Sequence, residues 1–405
     1  MPIFIGDKEH RLKFGGMSSA GDRNYDEQRF QYARVPRSRD DLLAFPGQVG
    51  IISETADSVT FGNTITRLLQ PNRYDAEQNV SAAYVMMDAA LTDDIRAIFG
   101  ARYESTEIVT TPAETPGLNP KTGIIDDSNI LPALSLVYAQ NKRMNWRAAY
   151  GRTIARPTYK ELTDIRYEDV FTGDTYIGSA DLELSVIDNF DVRWEWFPSK
   201  GETVAVSAFY KDMISPIEVL FQPSVGSIQP QNVDSGTVYG VEFEFRRGLQ
   251  FISDSLYRWS LGGNLTFIES EVTIPDSELT LLRADDPQAS DKRELLGQSP
   301  YVFNADINYS REESGTSATL SYNVVGERLD LVVYGPLPDV YEQPSPTLNF
   351  VLSQRLSPHW KLKLSAKNLL NSDKEKLISL PNEDLIYSRY QNGRSFSLSM
   401  SYLFE

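Results

Sequence analysis

Arg394-Ser395-Phe396-Ser397-Leu398-Ser399-Met400-Ser401-Tyr402-Leu403-Phe404, close to the chain's end, is the stretch whose reading decides the fold. Phe396, Leu398, Met400, Tyr402 and Phe404 alternate with Ser395, Ser397, Ser399 and Ser401. Successive side chains of a β-strand point to opposite faces, so one face here is apolar and the other small and polar. The period is two, not the 3.6 of an amphipathic helix.

Upstream, the same alternation recurs. Tyr239, Val241, Phe243 and Phe245 alternate with Gly240, Glu242, Glu244 and Arg246, and Val192, Trp194 and Trp196 with Asp191, Arg193 and Glu195. Phe99 and Tyr103 stand against Arg102 and Glu104. Counting such segments predicts about fourteen strands. The polar face carries charges that the core of a soluble sandwich would have to bury unpaired, at high cost. A watery or plugged lumen removes that cost, and the expected fold is an all-β, antiparallel transmembrane barrel with its apolar rows against outer-membrane lipid.

The connections alternate in length, as in such barrels. Short turns are expected at 92–94, 141–143, 199–201, 312–315 and 357–359, and long loops near 35–73, 111–127, 158–183, 275–297 and 373–386. If the last strand descends to the periplasm, every short turn falls on the periplasmic side and every long loop outside the cell. His359, in Ser357-Pro358-His359-Trp360, reads as an exposed turn residue.

Composition narrows the function. The 405 residues carry a net charge of −17, which disfavours nucleic acid. There is no cysteine, and the two histidines, His10 and His359, lie far apart, so thiolate chemistry, a His-based triad and a zinc site have little to build on. No cofactor, metal or catalytic residue is expected. No run approaches the 18 or so apolar residues of a membrane helix. The opening Met1-Pro2-Ile3-Phe4-Ile5-Gly6 lacks the features of a signal peptide, so the chain is expected to begin inside a longer protein.

Several segments resemble TonB-dependent outer-membrane receptors. Gly100-Ala101-Arg102-Tyr103-Glu104 is similar to their G-x-R-Y-E strand, and Tyr239-Gly240-Val241-Glu242-Phe243-Glu244 to their Y-G-[VI]-E-x-E strand. Gly297-Gln298-Ser299-Pro300 resembles their G-Q-S-P strand start, Asn368-Leu369-Leu370-Asn371 their N-L-[FL]-N segment, and the final strand their closing strand. Trp146-Arg147-Ala148-Ala149-Tyr150 leading to Ala155-Arg156-Pro157 looks like their strand exit. Two places depart. Gly178-Ser179-Ala180-Asp181-Leu182 stands where the family has G-N-P-x-L, and Glu405 follows the aromatic Phe404 that the barrel-assembly machinery would read.

The resemblance implies a barrel of about 22 strands around a plug. Residues 1–405 would then be one partial domain, the C-terminal part of that barrel, with the plug and the other strands missing. It also implies energised uptake of a scarce ligand such as an iron chelate, cobalamin or an oligosaccharide, driven by TonB through the plug. A passive porin and a barrel adhesin are the competing functions.

Candidate sites follow from residue type. Tyr159, Tyr167, Phe171 and Tyr176 in the 158–183 loop are suited to stacking on a sugar or a siderophore ring, or to ordinary loop packing. Arg102, Glu104, Asp191, Arg193, Glu195, Glu242, Glu244 and Arg246 form a lumen-facing charged row, read as a ladder of opposite charges or as the lining of a ligand path. Arg23, Arg29, Arg34, Arg37 and Arg39 are candidates for lipopolysaccharide phosphates at the outer rim.

Overall fold

The computed structural model describes residues 2–5, 8–27, 30–36, 52–54, 60–67, 72–114, 119–168, 173–380 and 383–404. Fourteen strands follow one another in a single antiparallel wall: β1 (Lys8–Glu27), β2 (Asn72–Ala90), β3 (Ile95–Pro112), β4 (Gly123–Asn141), β5 (Met144–Ala155), β6 (Ser185–Trp196), β7 (Thr203–Ile214), β8 (Ser235–Gly248), β9 (Trp259–Thr273), β10 (Tyr301–Arg311), β11 (Thr316–Val325), β12 (Thr347–Arg355), β13 (Trp360–Lys367) and β14 (Ser395–Tyr402). The short strand Pro2–Ile5 folds back on β1 at one edge, and β14 forms the other. Among the described residues these two edges do not pair with each other.

The register assigns the faces. Trp194 lies opposite Trp146 and Val206, and Phe243 opposite Val206 and Leu265, so apolar rows run unbroken from strand to strand. Phe99, Tyr103, Ile130, Phe190 and Phe243 on this face are exposed, as a lipid-facing band requires. On the other face Arg193 lies opposite Arg147 and Ser207, and Glu244 opposite Ala205 and Asn264. Gly240 fits here because Phe209, its direct cross-strand neighbour, lays its ring over the position a Cβ would take.

Two of the family-like segments turn out to be turns with a physical reason. Asn368 and Asn371 both adopt left-handed backbone conformations, with φ of 55° and 52°. Their side chains bind the returning strand, Asn368 through the Gly393 carbonyl at 2.8 Å and Asn371 through Gln391 at 2.9 Å. Gly297 has φ of 76°, which only glycine adopts at no steric cost, and it turns the chain into β10.

The wall strand β7 ends at Ile214 and β8 begins at Ser235, but the extended backbone does not stop there. It runs on into a second sheet built from the loops. That sheet has eight strands, in the order Arg166–Glu168, Thr175–Ile177, Ser227–Asn232, Ile217–Gln222, Arg328–Val333, Val340–Glu342, Asp373–Ser379 and Asp384–Gln391. Neighbouring loops zip together in parallel, Tyr176 opposite Ile228 and Leu220 opposite Val332. The expected loop at 373–386 is therefore a hairpin. The expected loop at 275–297 contains the helix α2 (Asp276–Asp285); α1 (Tyr159–Leu162) lies in the 158–183 loop. The expected loop at 35–73 lies largely outside the described residues. His359 is partly buried against the Tyr402 ring, 5.8 Å between centroids, rather than freely exposed.

Candidate ligand-binding site at the loop end

The loop joining β5 to β6 does not stand away from the barrel. Thr158 caps α1 by accepting from the Glu161 amide, and the Glu161 side chain returns the bond to the Thr158 amide at 2.7 Å. This box turns the chain so that Leu162, wholly buried, drops among Ile108, Ile125, Leu182 and Leu184. Ile108 and Ile125 face each other on the charged-row side of β3 and β4, so the loop packs on the inner face of the wall. Thr110, on the same face, donates to the Leu162 carbonyl at 3.1 Å.

Three of the four aromatic residues expected from the sequence meet here. Tyr167 and Tyr176 stack with centroids 5.3 Å apart and planes 11° apart. Tyr159 donates to Gln78 on β2 at 3.0 Å and packs into the same rim. Phe171 lies outside the described residues. Three partners come from outside the aromatic set. Tyr25 and Tyr74, opposite each other on β1 and β2, stack at 5.1 Å, and Lys160 lies 4.7 Å from both the Tyr25 and the Tyr167 rings. The inward face of Tyr25 and Tyr74 follows from alternation, but their meeting with Lys160 depends on how the loop folds. Burial, with Tyr176 adding to it, pushes the Tyr167 hydroxyl up to about 12, so it stays a neutral donor near pH 7. The site thus offers stacked rings, phenolic hydroxyls and one ammonium group.

Below it, the charged row forms a lateral network. Glu195 accepts from Arg147 at 2.8 Å and from Arg193 at 2.9 Å, and Arg193 reaches Glu244 at 2.5 Å. Glu242 accepts from Asn264 at 3.3 Å, which in turn accepts from Asn304 at 2.8 Å. Glu104 lies between Arg102, 2.6 Å away, and Arg156. No ion pair reaches Asp191 or Arg246 among the described residues. The rim arginines do not form one outer group. Arg23 stands opposite Ala76 on the inner face, Arg34 sits in a separate three-stranded sheet, and Arg29, Arg37 and Arg39 lie outside the described residues. In β14, Phe396, Leu398, Met400 and Tyr402 face outward with the apolar rows of β13, and Phe404 packs edge-on against Tyr402.

A family model described as TonB dependent receptor-like, beta-barrel, matches residues 6–369. The chain belongs to this family. It is accordingly a β-barrel protein of the Gram-negative outer membrane. Its fold is similar to that of the siderophore receptor PiuA from Acinetobacter baumannii, with a TM-score of 0.65, 11% identity, and coverage of 99% of this chain and 54% of that one. The ferric citrate transporter FecA in its unliganded form gives 0.60, 12%, 99% and 53%. The ferric-catecholate import receptor Fiu from K12 E. coli gives 0.59, 13%, 99% and 53%. The chain thus spans about half the length of these solved chains. No curated protein matches it in sequence.

Proposed function

We propose that this chain is the C-terminal barrel portion of a TonB-dependent transporter that takes up a metal chelate of the ferric-siderophore class. Tyr159, Tyr167, Tyr176 and Lys160 act on the ligand at the barrel mouth. The carrying observation is the loop from β5 to β6, folded onto the inner face so that the Tyr167–Tyr176 stack and the Lys160 ammonium sit at the lumen rim. Flat rings suit the planar parts of a chelate, and the cation suits its negative charge. The similar solved structures are named for a siderophore, ferric citrate and a ferric catecholate, which points the same way. The remaining strands, the plug and its contact with TonB belong to the rest of the receptor.

Uptake of radio-iron, supplied as a ferric catecholate or as ferric citrate to cells carrying the whole receptor, tests this. Saturable uptake that stops without TonB is expected for at least one chelate. Tyr167→Ala should weaken binding by about tenfold, the equivalent of one lost stacking contact of ~1 kcal/mol plus its buried area. Flux that rises linearly with chelate concentration and ignores TonB would make the protein a passive pore.

A further inference from the structure

The loop layer contains a buried cluster of charge away from the aromatic site. Glu218, on the strand Ile217–Gln222, is 1% exposed; Glu278, on α2, is 2% exposed. Both point at Arg293, at 2.8 Å and 4.0 Å from its Nη2. Asp339 is the third carboxylate within electrostatic reach of the same guanidinium. These residues come from three different loops, those joining β7 to β8, β9 to β10 and β11 to β12. One arginine therefore ties the three loops together at one point.

Its charge does not balance. Three carboxylates against one guanidinium leave two negative charges in excess if all ionise, in a place with little water to screen them. The hydrogen bonding is also incomplete. Glu218 accepts the Leu296 amide at 2.9 Å and Asp339 the Val333 amide at 2.7 Å. Glu278 Oε2, Glu218 Oε2 and the Arg293 nitrogens lack aligned partners among the described residues. The four charged groups come from the strands Ile217–Gln222 and Lys292–Arg293, α2 and the segment before Val340. Tyr341 also lies within electrostatic reach of Asp339, Glu294 and Glu327. Among the described residues, Arg293 is the one cation acting on the three carboxyls.

We propose that Glu218, Glu278 and Asp339 around Arg293 form a proton-operated latch, which holds the three loops together while its carboxyls carry protons and releases them when those protons leave. Burial raises all three carboxyls above the ordinary carboxylate range, with Arg293 opposing it. A carboxyl raised in the docked state and ordinary in the freed loop binds its proton more tightly when docked. Docking is then at full strength on the acid side and weakens as pH climbs above the ordinary carboxylate range. The apolar cluster Leu220, Leu329 and Val332 beside the latch is the part of the contact that does not titrate.

These 405 residues contain no cysteine, so none of them competes for the label. Cysteines placed at Leu281 and Leu337, which are 43% and 55% exposed, carry spin labels on two of the loops, in the whole protein in outer-membrane vesicles. As pH rises from the ordinary carboxylate range, the inter-label distance is expected to pass from one short, narrow population to a mixture with a longer, broader one. Glu278→Gln mimics the protonated carboxyl and is expected to move the transition to higher pH. Asp339→Asn is the second variant and should shift the transition the same way if Glu278→Gln disturbs α2. A distance that does not change with pH, or a transition in both amide variants that is the same as in the unaltered protein, would overturn the latch.

Discussion

The wall and the loop layer are both β-sheet, yet different forces hold them. In the wall the strands are 8 to 20 residues long, and one alternating pattern serves all of them. Its outward side chains need only be apolar, and its inward ones need only find polar partners. In the loop layer the strands are 3 to 8 residues long, two of the pairings run parallel, and stability rests on a few deeply buried side chains. Leu162, Leu220 and Leu329 are each 0–1% exposed, a degree of burial that the outward apolar residues of the wall never reach. The wall tolerates local variation, whereas the loop layer depends on single positions.

The largest effect should come from a position where the loop has no slack. A Cβ on Gly178 would lie 2.0 Å from the Thr163 carbonyl oxygen and 2.5 Å from that of Lys160, both backbone atoms at the end of α1. Gly178→Val therefore costs more than the ~1–3 kcal/mol of ordinary overpacking, because no flexible side chain can move aside. The loop should undock, exposing the segment 158–168 to protease, while the barrel keeps its heat-resistant migration on gels. Loss of that migration would show that the loop layer supports the wall.

The converse test is on the lipid face. Phe243, 46% exposed, sits between Val206 and Leu265 in the outward rows. Phe243→Arg is expected to cost ~2–4 kcal/mol of barrel stability near the bilayer midplane. Thr266→Arg, one row inward beside Glu242, should cost much less. Unfolding in lipid vesicles by denaturant measures both. Equal losses would mean that the inner face is as dry as the outer one.

This contrast also explains what the sequence discloses. The serines and apolar residues of 395–404 declare their strand and its faces without reference to any other segment, because a strand's alternation is local. The charged row from Arg193 to Arg246 is legible for the same reason. The hairpins at 217–232 and 328–342 are not, since their strands are short and their partners lie in other loops. Gly178 and Leu182 were visible as the ends of a family-like motif. Their purpose, to seat the end of α1 and fill the rim cluster, appears only once the loop is folded. Lys160 carries no local signal, since one of its two ring contacts, that to Tyr25, reaches a segment more than a hundred residues away in sequence.

The smallest effect belongs to an ion pair. Lys121 and Asp181 link the connection after β3 to the loop before β6 at 3.0 Å, but their side chains are 67% and 76% exposed. At such exposure the attraction is screened by water and salt and partly cancelled by the entropy of fixing two flexible side chains. A double-mutant cycle, Lys121→Ala with Asp181→Ala, should give a coupling of ~0–1 kcal/mol that fades in high salt. Leu162→Ala in the same loop should cost ~2–5 kcal/mol of docking, independent of salt. If the pair couples more strongly than the leucine, surface charge and not apolar burial holds this loop to the barrel, and the division between wall and loop layer has to be drawn on different grounds.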